Sequence, residues 1–177
     1  MDCNPELIAA AQNNTAKLGF SDRFALHTGE LADTRFLENL RMEASPVQLV
    51  MANPPWRLVG SGRLPATEAR RKALFGDKGT FPLFTSAASS LLEKDGRFAC
   101  IISPDRLQDM LAALDGAGLT PYLLQYIHKQ KTSPATFVLI EARKGAHAKP
   151  SVAEPIALYG PERVFTLESL AFCPFLR

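Results

Sequence analysis

The chain has 177 residues, 46% of them hydrophobic, and a formal net charge of +2. That is enough apolar material for one globular domain with a sizeable core, and too little charge to indicate nucleic-acid binding by itself. Cys3, Cys100 and Cys173 lack CxxC spacing and His27, His128 and His147 are equally scattered, so neither a metal site nor a disulfide framework is indicated, which suits a reducing cytoplasm. No apolar run approaches the length of a membrane span.

Asp2-Cys3-Asn4-Pro5-Glu6 leads into a helix whose Leu7, Ile8, Ala11, Thr15 and Leu18 share one face and which Gly19 ends. Asn4 is suited to the N-cap and Pro5 to the first helical position. Phe24 to Thr28 is a short strand candidate, followed by Gly29-Glu30-Leu31, and Thr34 to Met42 has helical spacing at Phe36, Leu37 and Leu40. An acid such as Asp2, at a strand end just before a helix, is where Rossmann-like folds bind ribose hydroxyls. Taken alone, it reads first as a solvated acid near a helix N-terminus.

Val47 to Trp56, VQLVMANPPW, organises the rest. Its short apolar run reads as a fully buried parallel strand that stops at Asn53. Pro54 and Pro55 lack a backbone N–H, fix φ and bias the preceding residue towards extended geometry, so the chain leaves the strand stiffly. Such a loop presents an amide oxygen, the carbonyl of Pro54 and an indole together. Two acceptors can take the two hydrogens of a planar NH2 group and favour a tetrahedral nitrogen, while the Trp56 ring stacks on a base. The bland alternative is a Pro-Pro strand stop with a packed tryptophan.

Arg57 to Thr80 has several glycines and a basic excess: Arg57, Arg63, Arg70, Arg71, Lys72 and Lys78 against Glu68 and Asp77. It reads either as a substrate loop that engages phosphates or as a solvated loop. Phe81 to Leu92 is a predicted helix, with Phe81, Phe84, Ala87, Ala88, Leu91 and Leu92 inward. A Glu93–Gly96 turn, a strand from Arg97 to about Ser103 and a helix from Arg106 to Ala117 follow, the last with Leu107, Met110, Leu111 and Leu114 in register. Tyr122 to His128 and Thr136 to Ala142 are strands joined by a hairpin-like KQKTSP. Ala146 to Pro155 reads as a loop, Ile156 to Tyr159 as a short strand and Thr166 to Phe172 as a helix. Strands alternating with helices, then a closing strand pair, predict an α/β sheet, mostly parallel with one antiparallel strand.

The acid-x-Asn-Pro-Glu start, Thr-Gly-Glu-Leu at 28–31, VQLVMANPPW, LLEKDGRFACIISPDRL and IHKQKTSPATFVLIEARKG together resemble the class I S-adenosylmethionine-dependent methyltransferases. More narrowly, they resemble bacterial tRNA adenine-N6 methyltransferases that modify the adenosine beside the anticodon of a valine tRNA; ESLAFCPFLR is similar to that family's end. The resemblance implies a single Rossmann-like methyltransferase domain, with 144–177 as a C-terminal extension packed on it. It also implies S-adenosyl-L-methionine as cofactor, tRNA as partner, and a monomer acting in the cytoplasm without metal.

Residue by residue, the resemblance assigns catalysis to Asn53, Pro54, Pro55 and Trp56, cofactor binding to Asp2, Glu30, Leu31 and Asn53, and RNA contacts to Arg57, Arg63, Arg70, Arg71 and Lys72. Trp56 replaces the commoner Tyr or Phe, and Glu30 the commoner Asp. The family's first strand and its glycine-rich Asp/Glu-x-Gly-x-Gly turn have no counterpart; Gly60-Ser61-Gly62 lies after the catalytic motif. The expectation is a chain that begins at the end of the family's second strand, binds cofactor weakly or not at all and has no measurable methyltransferase activity as it stands. Two further readings stand beside tRNA methylation: glutamine-N5 methylation of release factors, which uses the same motif, and a non-catalytic remnant with an RNA-facing surface.

Overall fold

A computed structural model describes residues 1–43, 46–58, 66–145 and 149–173. The chain forms two compact units, Met1–Ser45 and Pro46–Arg177. In the first, helix α1 (Pro5–Lys17) starts as predicted: the Asn4 side chain accepts the Glu6 N–H at 2.9 Å with Pro5 in the first turn. Past its end the backbone turns left-handed at Gly19, φ +71°. The predicted Phe24–Thr28 strand does not form. A 3-10 turn (Ser21–Arg23) precedes it, and Thr28 makes only an isolated parallel bridge to Asp2. The reason is geometric: the backbone opposite bends into α1 at Pro5, leaving Asp2 to donate to His27 O at 3.2 Å and accept from Gly29 N at 3.1 Å. Helix α2 (Thr34–Glu43) follows, with Asp33 accepting the Phe36 N–H. Neither helix has a buried residue; on the apolar face of α1, Leu7 and Leu18 are exposed while Ile8, Ala11 and Thr15 are half-buried.

The second unit is built on a sheet. Strand β1 (Val47–Ala52) pairs in parallel with β4 (Leu92–Ile102), and β6 (Ala135–Lys144) runs antiparallel to both β4 and β5 (Leu119–His128). Two-residue strands β7 (Ser151–Val152) and β8 (Ile156–Ala157) add to β5 in parallel. The order β1-β4-β6-β5 therefore has one strand, β6, against the common direction, as the sequence predicts. Among the described residues no strand pairs with the outer side of β1. Nor is β1 fully buried, contrary to expectation: Leu49 and Met51 are 42% and 75% exposed. Side chains alternate across a strand, so Val50 and Ala52 meet the core while Leu49 and Met51 leave it.

Helices α4 (Thr80–Leu91) and α5 (Leu107–Gly116) carry the core's other half. Phe81 and Ala88 of α4 and Met110 and Leu114 of α5 pack with Phe98, Ile102, Val138 and Ile140 of the sheet. Buried Thr85 ties the two helices together by donating to Ala113 O at 3.0 Å. Strand β4 starts earlier than predicted, because the Glu93–Gly96 turn is a bulge within it. Val47 faces Leu92 and Leu49 faces Arg97, and the extra residues are accommodated by Asp95 at φ +65°, which an aspartate tolerates.

Arg57–Thr80 is not the single long loop expected. Strands β2 (Arg57–Leu58) and β3 (Phe75–Gly76) pair in parallel, and helix α3 (Glu68–Leu74), capped by Thr67, lies between them. Strand β7 likewise falls within the predicted 146–155 loop. Helix α6 (Leu167–Phe172) is capped by Thr166, which accepts the Ser169 N–H at 3.1 Å. No helix among the described residues is long and apolar enough to cross a membrane.

Candidate functional site

At the C-terminal end of β1 the chain enters the Asn53–Trp56 loop. Asn53 is exposed, Pro54 is buried, and Pro55 and Trp56 are half-buried. The Trp56 ring meets Phe137, at the start of β6, edge to face at 6.1 Å and 78°. Its carbonyl oxygen accepts a hydrogen bond from Arg106 Nη1 at 2.9 Å. Arg106 is only 3% exposed; its Nε donates to Asp109 Oδ2 at 2.7 Å, and its guanidinium lies 4.5 Å from the Phe81 ring centroid. A buried cation with a carboxylate, a carbonyl and an aromatic face as partners is a fixed point, not a mobile charge.

The loop is also held from below. A Cβ on Gly76 would come within 2.7 Å of Pro55 O and 2.6 Å of Thr80 Oγ1, so only glycine lets β3 pass this close. Thr80 Oγ1 in turn accepts the Asp77 N–H at 2.9 Å, fixing the entry to α4. Leaving the loop, the chain is caught at once by the β2–β3 pair. The result is a rigid turn that leaves the Asn53 amide in the open.

Arg57 is exposed, with its guanidinium carbon 5.2 Å from the Trp56 ring centroid. Arg70, Arg71 and Lys72 are exposed on α3, where Arg71 is paired with Glu68. Arg63 lies outside the described residues, as do Gly60-Ser61-Gly62 and His147. Residues 59–74 run from β2 to β3, so both ends of this basic excursion are pinned next to Trp56.

The first unit holds the other predicted ligands. Asp2 Oδ1 accepts the Asn4 N–H at 2.8 Å, which orients the carboxylate. The Asp2 carbonyl accepts the Gly29 N–H, setting Asp2 beside the turn that carries exposed Glu30 and half-buried Leu31. Among the described residues no three His, Cys, Asp or Glu side chains are grouped to hold a metal. In β4, burial pushes the Cys100 thiol up to about 12, so it stays protonated.

Arg106 and Gly76 are the parts of the site that sequence reasoning missed. Arg106 follows the apolar run of β4 in Ser103-Pro104-Asp105-Arg106 and reads as a solvated residue opening a helix. The tightness around Gly76 comes from a strand pair too short to carry a pattern.

No protein-family model matches the chain, and no curated protein matches it. Solved structures do. The predicted O-methyltransferase Atu636 from Agrobacterium tumefaciens aligns over 93% of this chain and 70% of its own, at TM-score 0.67 and 20% identity. A protein described as an rRNA methylase from Clostridium thermocellum aligns over 80% and 72%, at TM-score 0.50 and 20% identity. The M protein of the type I restriction enzyme EcoKI aligns over 94% of this chain but 38% of its own, at TM-score 0.55 and 15% identity. The chain therefore has the Rossmann-like fold of the methyltransferases.

Proposed function

We propose that the protein methylates the N6 amine of adenine in tRNA, at the adenosine beside the anticodon, acting as a monomer in the cytoplasm. The observation that carries this reading is the Asn53–Trp56 loop at a strand end, with an exposed Asn53 amide three residues before a tryptophan whose carbonyl is bonded to Arg106 and whose ring packs on Phe137. The methyltransferase neighbours support methyl transfer, and the rRNA methylase among them supports an RNA substrate. The neighbours include an O-methyltransferase, so the nitrogen acceptor is read from the loop.

S-adenosylmethionine supplies an electrophilic methyl group when bound. Part of a site for it is present: the Asp2 carboxylate has one oxygen taken by the Asn4 amide and one to offer a ribose hydroxyl, and Glu30 and Leu31 follow in the adjacent turn, while the glycine-rich turn has no counterpart among these residues. In the loop, Asn53 Oδ1 and the Pro54 carbonyl accept the two amine hydrogens. Both bonds strengthen as the nitrogen becomes tetrahedral, which is stabilisation aimed at the transition state. The proton released on transfer passes to water, so no strong base is needed. Trp56 supplies a stacking face, and Arg57, Arg63, Arg70, Arg71 and Lys72 meet phosphates from an excursion anchored at the loop.

The test is methyl transfer from labelled cofactor to bulk tRNA, followed by nucleoside analysis. Labelled N6-methyladenosine is the expected product. Unlabelled tRNA, with label taken up on a glutamine amide when a release factor is supplied instead, the other planar amine this loop suits, would overturn the reading.

A further inference from the structure

A second basic feature lies on the same rim of the sheet. Because β1, β4 and β5 run parallel, their C-terminal ends share one edge, where Asn53 follows β1 and Lys129 follows β5. From β1 to β5 there are three strand-to-strand steps, roughly 14 Å. At the β5 end is a cleft of about 480 Å³ lined by Lys129, Gln130, Tyr159 and Arg163.

The cleft's framework is satisfied internally. Tyr159 N donates to Lys129 O at 2.8 Å, Leu158 N to His128 O at 2.8 Å, and Gln130 N to Ser133 Oγ at 3.0 Å. The Tyr159 ring is stacked on Phe165 at 5.0 Å and 28°. The cations are a different matter. Lys129 and Arg163 are exposed, and among the described residues neither is in an ion pair. Glu162 is the one carboxylate in the 158–165 turn, and the 128–135 hairpin has Lys129 and Lys131 and no acid.

Arg163 adds an independent sign. Its φ is +60°, a conformation that costs a non-glycine residue about 1–2 kcal/mol and that glycine adopts freely. The turn is thus built with an arginine where its backbone suits glycine. Strain of this kind collects where a side chain is needed for function.

We infer that this cleft is a second contact for single-stranded RNA, in which Lys129 and Arg163 take the phosphates of the segment flanking the target base and Tyr159 offers an aromatic wall. The inference rests on the RNA reading above. Uncompensated cations interleaved with an aromatic, on the rim that carries the loop, match the way single strands are held.

Binding of the protein to a fluorescent single-stranded RNA is measured between 50 and 200 mM salt. The variants are Lys129→Ala with Arg163→Gly, and separately Arg70→Ala with Lys72→Ala. Removing two phosphate contacts is expected to flatten the log–log salt slope by about 1.4 and weaken binding at least several-fold. Arg163→Gly relieves the backbone, so its thermal midpoint is expected to hold or rise, and lost binding cannot be ascribed to unfolding. RNA binding that falls for the Arg70/Lys72 pair and not for the Lys129/Arg163 pair overturns the cleft and leaves the RNA reading standing. No RNA binding by the unaltered protein overturns both, and preference for polyglutamate over RNA assigns the cleft to an acidic protein partner instead.

Discussion

Arg106 Nη1 and the carbonyl oxygen of Trp56 meet at 2.9 Å across fifty residues of sequence. The bond joins the turn after β4 to the loop after β1, and it does so from a guanidinium that is out of solvent. Replacing the donor leaves the Trp56 carbonyl without its partner, a loss of roughly 1–3 kcal/mol. Trp56 is the chain's single tryptophan, so intrinsic fluorescence reports this loop alone. Arg106→Met is expected to shift emission to the red and raise acrylamide quenching. Arg106→Lys keeps the charge, loses the fork and falls between. Unaltered emission in both would show that the loop is held by other contacts.

Asn53 is tested separately, because its exposed amide has no structural duty to lose. If it acts on the transition state, Asn53→Ala lowers kcat by roughly 10²–10³ and leaves cofactor affinity nearly intact. A raised KM with unchanged kcat would make it a binding residue only.

Gly76 offers a steric test of the same loop. In Gly76→Ala the new methyl group falls against Pro55 O and Thr80 Oγ1, so the loop or the start of α4 must move, at a cost of about 1–3 kcal/mol. Gly116, the last residue of α5, has nothing within 4 Å of its Cβ position and no positive φ. Gly116→Ala is therefore expected to stabilise by about 0.4–1 kcal/mol. Urea unfolding of the two variants side by side is the check. A neutral Gly76→Ala would mean that the close approach is relaxed without strain.

How much of this was readable beforehand depends on the distance over which each feature is encoded. The Asn4 cap, the α5 face of Met110 and Leu114 and the lone antiparallel strand follow from local spacing, and all appear. The failures are of other kinds. Phe24–Thr28 has strand composition but only Asp2 to pair with, so composition could not decide it. The apolar run of β1 suggested burial on both faces, yet burial depends on what covers Leu49 and Met51, which the run does not contain. Within the site, Asn53 to Trp56 could be picked out because a contiguous motif carries them. Arg106 could not, because its partners Trp56 and Phe81 are distant in sequence and an arginine opening a helix ordinarily faces water.

Cys100 lies near the C-terminal end of β4, opposite Ala52 of β1 and Ile140 of β6, and is 5% exposed. Burial penalises the thiolate and raises the thiol from its ordinary value of 9.0 to about 12. The folded chain therefore binds this proton more tightly than the unfolded chain. The contribution is complete below pH 9.0, and stability is lost as pH rises from there through about 12. At pH 10, one unit beyond the unfolded value, the loss is on the order of 1 kcal/mol. Cys100→Ala has no such term, so its destabilisation relative to the unaltered protein, measured by urea unfolding, is expected to shrink by about that much between pH 7.5 and pH 10. Comparing the two proteins cancels the lysines and tyrosines that titrate in the same range. Thiol reagents give a second reading: exposed Cys3 reacts at once, while Cys100 waits for unfolding. A pH-independent difference between the two proteins, or rapid labelling of Cys100 in the folded state, would show that β4 opens to solvent beneath the loop.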